Sequence, residues 1–211
     1  VVKLDADGQM DPANIPRLVA PIARGEADYT KGNRFLVAFP PTPMPPLRML
    51  GNVGLTFLTK VASGYWHLFD PTNGYTAVHA SVVRRLDPRA IARDYFFETS
   101  LMFELRRLGA VVEDVALPAR YEGEPSSLSI PAVLLTFPPR MLGGLLRRLG
   151  RQYFLYDFSA ASVLLLLGLP LLLFGVLWGL THWYLHSQAG TLASTGTVLL
   201  AALPILVGVQ F

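Results

Sequence analysis

Beyond Asp157 this chain carries no Asp, Glu, Lys or Arg, and that gap constrains everything the last quarter can become. All 18 Lys and Arg and all 15 Asp and Glu lie at or before Asp157, so the net charge of +3 belongs to the remainder. Phe158 to Thr181 is almost unbroken apolar sequence, long enough as a helix to span about 36 Å at 1.5 Å per residue. That exceeds a hydrocarbon core of about 30 Å, and a proline such as Pro170 is tolerated in a membrane helix. A second apolar run, Leu192 to Phe211, follows an expected loop over His182 to Gly190, which predicts a helical hairpin in the membrane. Arg140, Arg147, Arg148 and Arg151 precede the first span, and the loop has no Lys or Arg. The positive-inside rule then puts the N-terminal part in the cytoplasm. His182 and His186 have the i, i+4 spacing of helical metal ligands, but Trp183 and Tyr184 between them read as an interfacial aromatic belt. Neither run lies where a signal peptide would, and zero cysteines exclude a disulfide framework and any Cys-ligated zinc.

The other informative stretch is Val1-Val2-Lys3-Leu4-Asp5-Ala6-Asp7-Gly8-Gln9, a β-branched run opening onto two carboxylates one residue apart. On a strand, residues i and i+2 share a side, so Asp5 and Asp7 converge. Paired carboxylates repel unless a cation sits between them, and hard divalent ions prefer oxygen ligands. The pattern reads as a place where Mg²⁺ or Mn²⁺ meets a diphosphate. A plain surface turn has the same residues. A calcium loop of the EF-hand type is excluded, because its sixth and twelfth positions would be Met10 and Pro16.

Asp11-Pro12 starts a helix running to about Arg24, with Asp as cap and Pro in the first turn. An extended piece ends in Gly32-Asn33-Arg34, five prolines between Phe39 and Pro46 make a loop, and Leu47 to Ser63 is an apolar helix. Phe69 to Val78 is turn-rich, Phe96 to Leu108 is an amphipathic helix stopped by Gly109, and Ala110 to Leu117 alternates as a strand. Ile130 to Tyr156 reads as an interfacial element. This alternation predicts an α/β fold with a mainly parallel sheet and a ligand at the carboxyl ends of its strands. Glu98, Glu104, Arg106 and Arg107 read as a solvated helix face, with Glu98 alone a weak site candidate. Lys3, His67 and His79 are assigned no chemical role.

Four segments join the acidic pair: Gly32-Asn33-Arg34; Arg48 at the head of the apolar helix; Asp70-Pro71-Thr72-Asn73-Gly74-Tyr75; and Arg120-Tyr121-Glu122-Gly123-Glu124-Pro125-Ser126-Ser127-Leu128. In this order the chain resembles family-2 glycosyltransferases acting on polyprenyl phosphates, of the dolichyl-phosphate mannosyltransferase or undecaprenyl-phosphate glucosyltransferase type. The resemblance implies a GT-A-like, Rossmann-like catalytic domain truncated at its N-terminus, with the nucleotide-holding first strand and loop outside the sequence. The expected division is 1–127 for the partial catalytic domain, 128–157 for interfacial helices and linker, and 158–211 for two transmembrane helices. The sequence thus reads as a piece of a longer chain cut at both ends.

The resemblance implies a membrane-bound, metal-dependent, inverting hexosyltransferase that moves a sugar from a nucleotide-sugar to a polyprenyl phosphate. Asp5, Asp7 and Gln9 would hold Mg²⁺ or Mn²⁺. Arg34, Arg48 and Arg120, with Ser126 and Ser127, would contact phosphate or substrate, since guanidinium grips phosphate in a two-pronged way. Asp70 would be the catalytic carboxylate, orienting a sugar hydroxyl, with Asn73, Gly74 and Tyr75 shaping the turn. Plainer readings stand beside these: a surface Arg34, a snorkelling Arg48, a loop Arg120 and a turn-forming Asp70. The expected setting is a multi-pass protein of a bacterial inner membrane with its catalytic domain cytoplasmic, no nucleic-acid partner, and an oligomeric state left open. A processive polysaccharide synthase is the rival enzyme, but no Gln-x-x-Arg-Trp precedes the membrane segments. A non-catalytic membrane-anchored scaffold is the rival from another class.

Overall fold

The computed structural model describes residues 1–5, 8, 10–36, 46–71, 73–118 and 130–211, leaving aside the side chains of 46–48, 50, 130–132 and 134. Asp7, Gln9, Arg120, Ser126, Ser127, the Arg48 side chain and nearly all of the proline loop lie outside the described residues. The chain divides into two compact units, Val1–Arg148 and Leu149–Phe211.

The first unit is mixed α/β, a small sheet among helices. Its strands are β1 (Val2–Lys3), β2 (Tyr29–Asn33), β3 (Thr76–Val78) and β4 (Val112–Ala116), in the order β1-β3-β2-β4. The expected mainly parallel sheet is corrected here: β3 runs antiparallel to both β1 and β2, and only β2 with β4 is parallel. The cause is β3, which follows the turn-rich segment and inserts between β1 and β2.

Asp11 caps the first helix as its sequence predicts, accepting from the Ala13 N–H at 2.9 Å. A 3₁₀ turn, Pro12–Asn14, leads into α1 (Ile15–Ala23). Helix α2 (Pro46–Ser63) follows the proline loop, α3 (Ala80–Val83) is a single turn, and α4 (Phe97–Arg107) ends at Gly109 with φ +69°.

Side chains alternate across the strands, and this alternation sorts the interior. On one face Leu18 of α1 packs with Tyr75, Ala77 and Leu117. On the other, Leu101, Met102 and Leu105 of α4 pack with Tyr29, Val112, Tyr65 and Leu68. Each such side chain contributes about 1.5–3 kcal/mol when fully buried, so α4 is held by its tertiary face rather than by propensity. Glu104, expected on a solvated face, is buried beside Leu105 and bonded to Arg107 at 2.7 Å. Helix α5 (Ile130–Leu149) buries Phe137 and Met141 against Ala62 and Phe96, while Leu135, Leu142 and Leu146 are exposed.

In the second unit, a π-helical segment (Gly150–Tyr156) precedes α6 (Ala160–Ala189), the one described helix long and apolar enough to cross a membrane. Ser159 opens α6 with a capping box, and Gly190 ends it at φ +61°. The expected loop over His182 to Gly190 is therefore corrected to helix as far as Ala189. Phe174 stacks on Trp178, and His182 lies against Trp178 with ring centres 4.3 Å apart and planes tilted by 41°, so the histidine sits in an aromatic column on a continuous helix. A shorter apolar helix, α7 (Thr195–Gln210), packs antiparallel to α6. Small residues set that approach: a Cβ on Gly175 would lie 2.7 Å from the Ala201 carbonyl, and one on Gly168 2.9 Å from that of Gly208.

Candidate active site

The alternation that puts Thr30 against α1, where its hydroxyl donates to the Leu18 carbonyl, turns Lys31 and Asn33 to the opposite face of β2. The parallel register sets Lys31 opposite Asp114 of β4. Their side chains meet in a buried ion pair at 2.9 Å, with Lys31 only 1% exposed. Burial pulls the Lys31 ammonium below its usual range, while Asp114 and Asp70 oppose that pull. Asp114 also accepts from Asn33 Nδ2 at 2.7 Å and from the Phe69 N–H at 2.6 Å.

Above this pair the chain turns at Asp70, the one non-glycine with positive φ among the described residues, at +54°. A side chain in the left-handed region costs about 1–3 kcal/mol and persists only where its surroundings over-determine it. Here they do. Lys31 donates to the carbonyls of Phe69 and Asp70, the latter at 2.9 Å. The fully buried Asp70 carboxylate takes Arg34 Nε at 2.6 Å and Nη2 at 2.5 Å, a two-pronged grip, and Oδ2 also faces the Arg34 N–H at 3.3 Å. The residues chosen separately as phosphate contact and catalytic carboxylate are thus partners of each other.

The turn continues as a seat for Asp5. The Asn73 N–H donates to the Asp70 carbonyl at 3.2 Å, and Asn73 Oδ1 accepts from the Tyr75 N–H at 3.0 Å. Tyr75 is buried, and its hydroxyl donates to the Asp11 carbonyl at 2.9 Å, tying the turn to the start of the first helix. Gly74 has a steric reason to be glycine, since a Cβ there would lie 2.1 Å from Asp5 Oδ2. So Asp5 rests against the turn that carries Asp70. Lys3 bridges Asp5 at 2.9 Å and Glu98 at 3.0 Å, and its ammonium lies 5.4 Å from the centre of the Phe97 ring. Burial works against its charge, yet the two carboxylates hold it above the usual lysine range.

Among the described residues no three His, Cys, Asp or Glu side chains cluster as a metal site, and Asp7 and Gln9 lie outside them. Asp5 has the right donor chemistry for a hard cation: a carboxylate still 43% exposed, at the edge of the sheet.

Sequence reasoning passed over Lys31 and Asp114, and gave Lys3 no role. The available signal was charge of opposite sign inside two strand-like runs, at Lys31 and Asp114; a lone strand lysine ordinarily reads as solvent-facing. His67 and His79 are structural: His67 Nε2 bonds the Val112 carbonyl at 2.8 Å, and His79 caps α3.

No family model matches the chain. It is similar to the UDP-N-acetylglucosamine–dolichyl-phosphate N-acetylglucosaminyltransferase of Methanococcus voltae, 32% identical over 94 residues, which is 44% of this chain and 37% of that protein. It is similar to the undecaprenyl-phosphate mannosyltransferase of Micrococcus luteus, 29% identical over 118 residues, 56% of this chain and 47% of that protein. An uncharacterized protein of Methanocaldococcus jannaschii is 23% identical over 121 residues, covering 57% and 49%. The chain spans half or less of the length of these curated relatives. With two relatives named for such transfers, the chain resembles the polyprenyl-phosphate glycosyltransferases.

Proposed function

We propose that the protein is a membrane-bound glycosyltransferase of the family-2 type that moves a sugar from a nucleotide-sugar to a polyprenyl phosphate. What carries this reading is the buried Asp70–Arg34 pair, held on a strained turn that also seats Asp5. The two relatives named for transfer to dolichyl and undecaprenyl phosphate support the acceptor class.

The acceptor phosphate is already anionic, so no proton has to be removed before its oxygen attacks the anomeric carbon. Attack from the face opposite the leaving group inverts the configuration. The difficulty is bringing two anions together, and guanidinium groups meet it. Arg34 supplies one, with Arg48 and Arg120 as the others in this reading and Ser126 and Ser127 as neutral donors. Asp70 is fully buried under three bonds from Arg34, so in this reading it holds that guanidinium toward the substrate. Its role here is orientation. Asp5, with Asp7 and Gln9, would hold Mg²⁺ or Mn²⁺, which when bound neutralises charge on the departing diphosphate. The arginines at 140, 147, 148 and 151, followed by a charge-free tail, favour a multi-pass arrangement with the catalytic unit on the cytoplasmic side.

The test is a panel of radiolabelled nucleotide-sugars offered to the complete protein with undecaprenyl phosphate, followed by lipid extraction. Label in the organic phase is the expected result. Label confined to water-soluble or protein acceptors removes the lipid reading, and no transfer to any acceptor favours the scaffold. In parallel, Asp7→Ala should abolish Mn²⁺-dependent nucleotide-sugar binding.

A further inference from the structure

Lys31 and Asp114 have no part in the transfer chemistry above, yet between them they bind the peptide groups on both sides of Asp70's entry. An ammonium has three N–H donors. Lys31 gives two of them to the Phe69 and Asp70 carbonyls, and its ammonium stands 2.9 Å from Asp114 Oδ1 as an ion pair. Asp114 in turn takes the Phe69 N–H, Asn33 Nδ2 and Lys31. Both polar groups of Phe69 and the carbonyl of Asp70 are thereby fixed from below, while Arg34 fixes the Asp70 carboxylate from the side.

We propose that the Lys31–Asp114 pair is a positioning device that holds Asp70 in its left-handed conformation and so aims the Asp70–Arg34 pair. Three observations carry it. Asp70 is the one described non-glycine with positive φ, and Lys31 grips the carbonyls of the peptides that enter and leave it, while Asp114 takes the N–H of Phe69 just before it. Lys31 is 1% exposed and donates to the Phe69 and Asp70 carbonyls, so it acts through Asp70. Third, a buried ion pair is a poor device for stability alone, because apolar side chains of similar size usually replace one without loss. The parallel β2–β4 register is what makes the grip possible, since it places the two residues opposite each other in the middle of both strands.

The functional half of this inference rests on the transferase reading; the conformational half does not. The test therefore uses the complete chain and two readouts. Lys31→Met combined with Asp114→Leu removes both charges while filling the space. The melting temperature is expected to stay within a few degrees of the parent. Amide exchange over Phe69–Tyr75 should accelerate at least about tenfold, because the Phe69 N–H loses its acceptor. The turnover number should fall roughly 100-fold with donor KM changed less than about threefold, the pattern of a misaimed site. Unchanged exchange over that segment overturns the proposal, as does acceleration spread over the whole unit in step with a lower melting temperature. If the double variant does not fold, Lys31→Met combined with Asp114→Asn, which removes both charges but keeps an acceptor for Phe69, should show the same local acceleration to a smaller degree; its absence overturns the proposal equally. Should the parent transfer no sugar, the transferase reading fails and the exchange measurement alone decides.

Discussion

The face of the sheet beneath Asp70 and the contact between α6 and α7 are both tightly packed, by opposite means. The first encloses Lys31, Asp114, Asp70 and Arg34, two positive and two negative charges. The second contains no charged side chain and draws two backbones together where Gly168, Gly175 and Gly208 have no Cβ. A charge network is specific because each member is costly without its partners, so it does not tolerate the loss of one member alone. A glycine contact is specific through shape, so it tolerates loss of polarity but no added volume.

The sharpest break of this contrast is Asp70→Ala. It removes a fully buried carboxylate from the largely covered Arg34 guanidinium and should cost about 3–5 kcal/mol, read by chemical denaturation, and on the proposed transferase reading it also abolishes transfer. In the helix pair the corresponding insult is bulk. Gly175→Ile should cost about 1–3 kcal/mol by forcing α6 and α7 apart. A chain without cysteines offers a clean reporter: Gly179→Cys with Ala201→Cys sets sulfur-bearing carbons 3.3 Å apart, just under the disulfide range of about 3.5–4.5 Å, so a disulfide should form with a slight widening of the pair, and Gly175→Ile should suppress it.

A smaller effect joins the two modes, because Gly74 is a shape contact serving a charge. Gly74→Ala should displace Asp5, costing about 1 kcal/mol in stability and, on the proposed metal-dependent reading, weakening Mn²⁺-dependent nucleotide-sugar binding by more than stability accounts for. Titration calorimetry with and without Mn²⁺ separates the two. Smallest is the surface bridge Asp94–Arg140 at 2.7 Å, which ties the segment before α4 to α5. Its hydrogen bond to Arg140 holds the Asp94 carboxyl below the ordinary 3.8. A depressed carboxylate stabilises the fold above its unfolded value, and that contribution fades as pH falls through the lower folded value. With both side chains about half exposed, Arg140→Ala should cost under about 1 kcal/mol at neutral pH and less once pH falls through the folded value of Asp94.

How far these features could be read from residues alone follows the same division. Local signals were readable: Asp11-Pro12 opens a helix, Gly109 closes one, and the charge-free tail is helical and apolar. Single residues of the site were readable too, since an arginine after Gly-Asn and an aspartate before Pro are conspicuous. Their pairing was not, because it depends on Arg34 and Asp70 meeting across a sheet whose strand order has no local marker. The same blindness hid Lys31 and Asp114, which acquire meaning only from register. It also hid the direction of β3, whose partner β1 lies far upstream. The stretch from His182 to Ala189 failed for another reason: its polar and aromatic residues mimic a loop, although none of them breaks a helix.

That distant partner has a consequence in time. Val2 pairs with Ala77, 75 residues further on (77 − 2), and β3 is the one strand β1 touches. At a synthesis rate of about 5–20 residues per second, roughly 4–15 seconds pass between the emergence of the two. The acidic segment precedes its sheet partner by that interval, so a newly made chain carries β1 unpaired until Thr76–Val78 have followed.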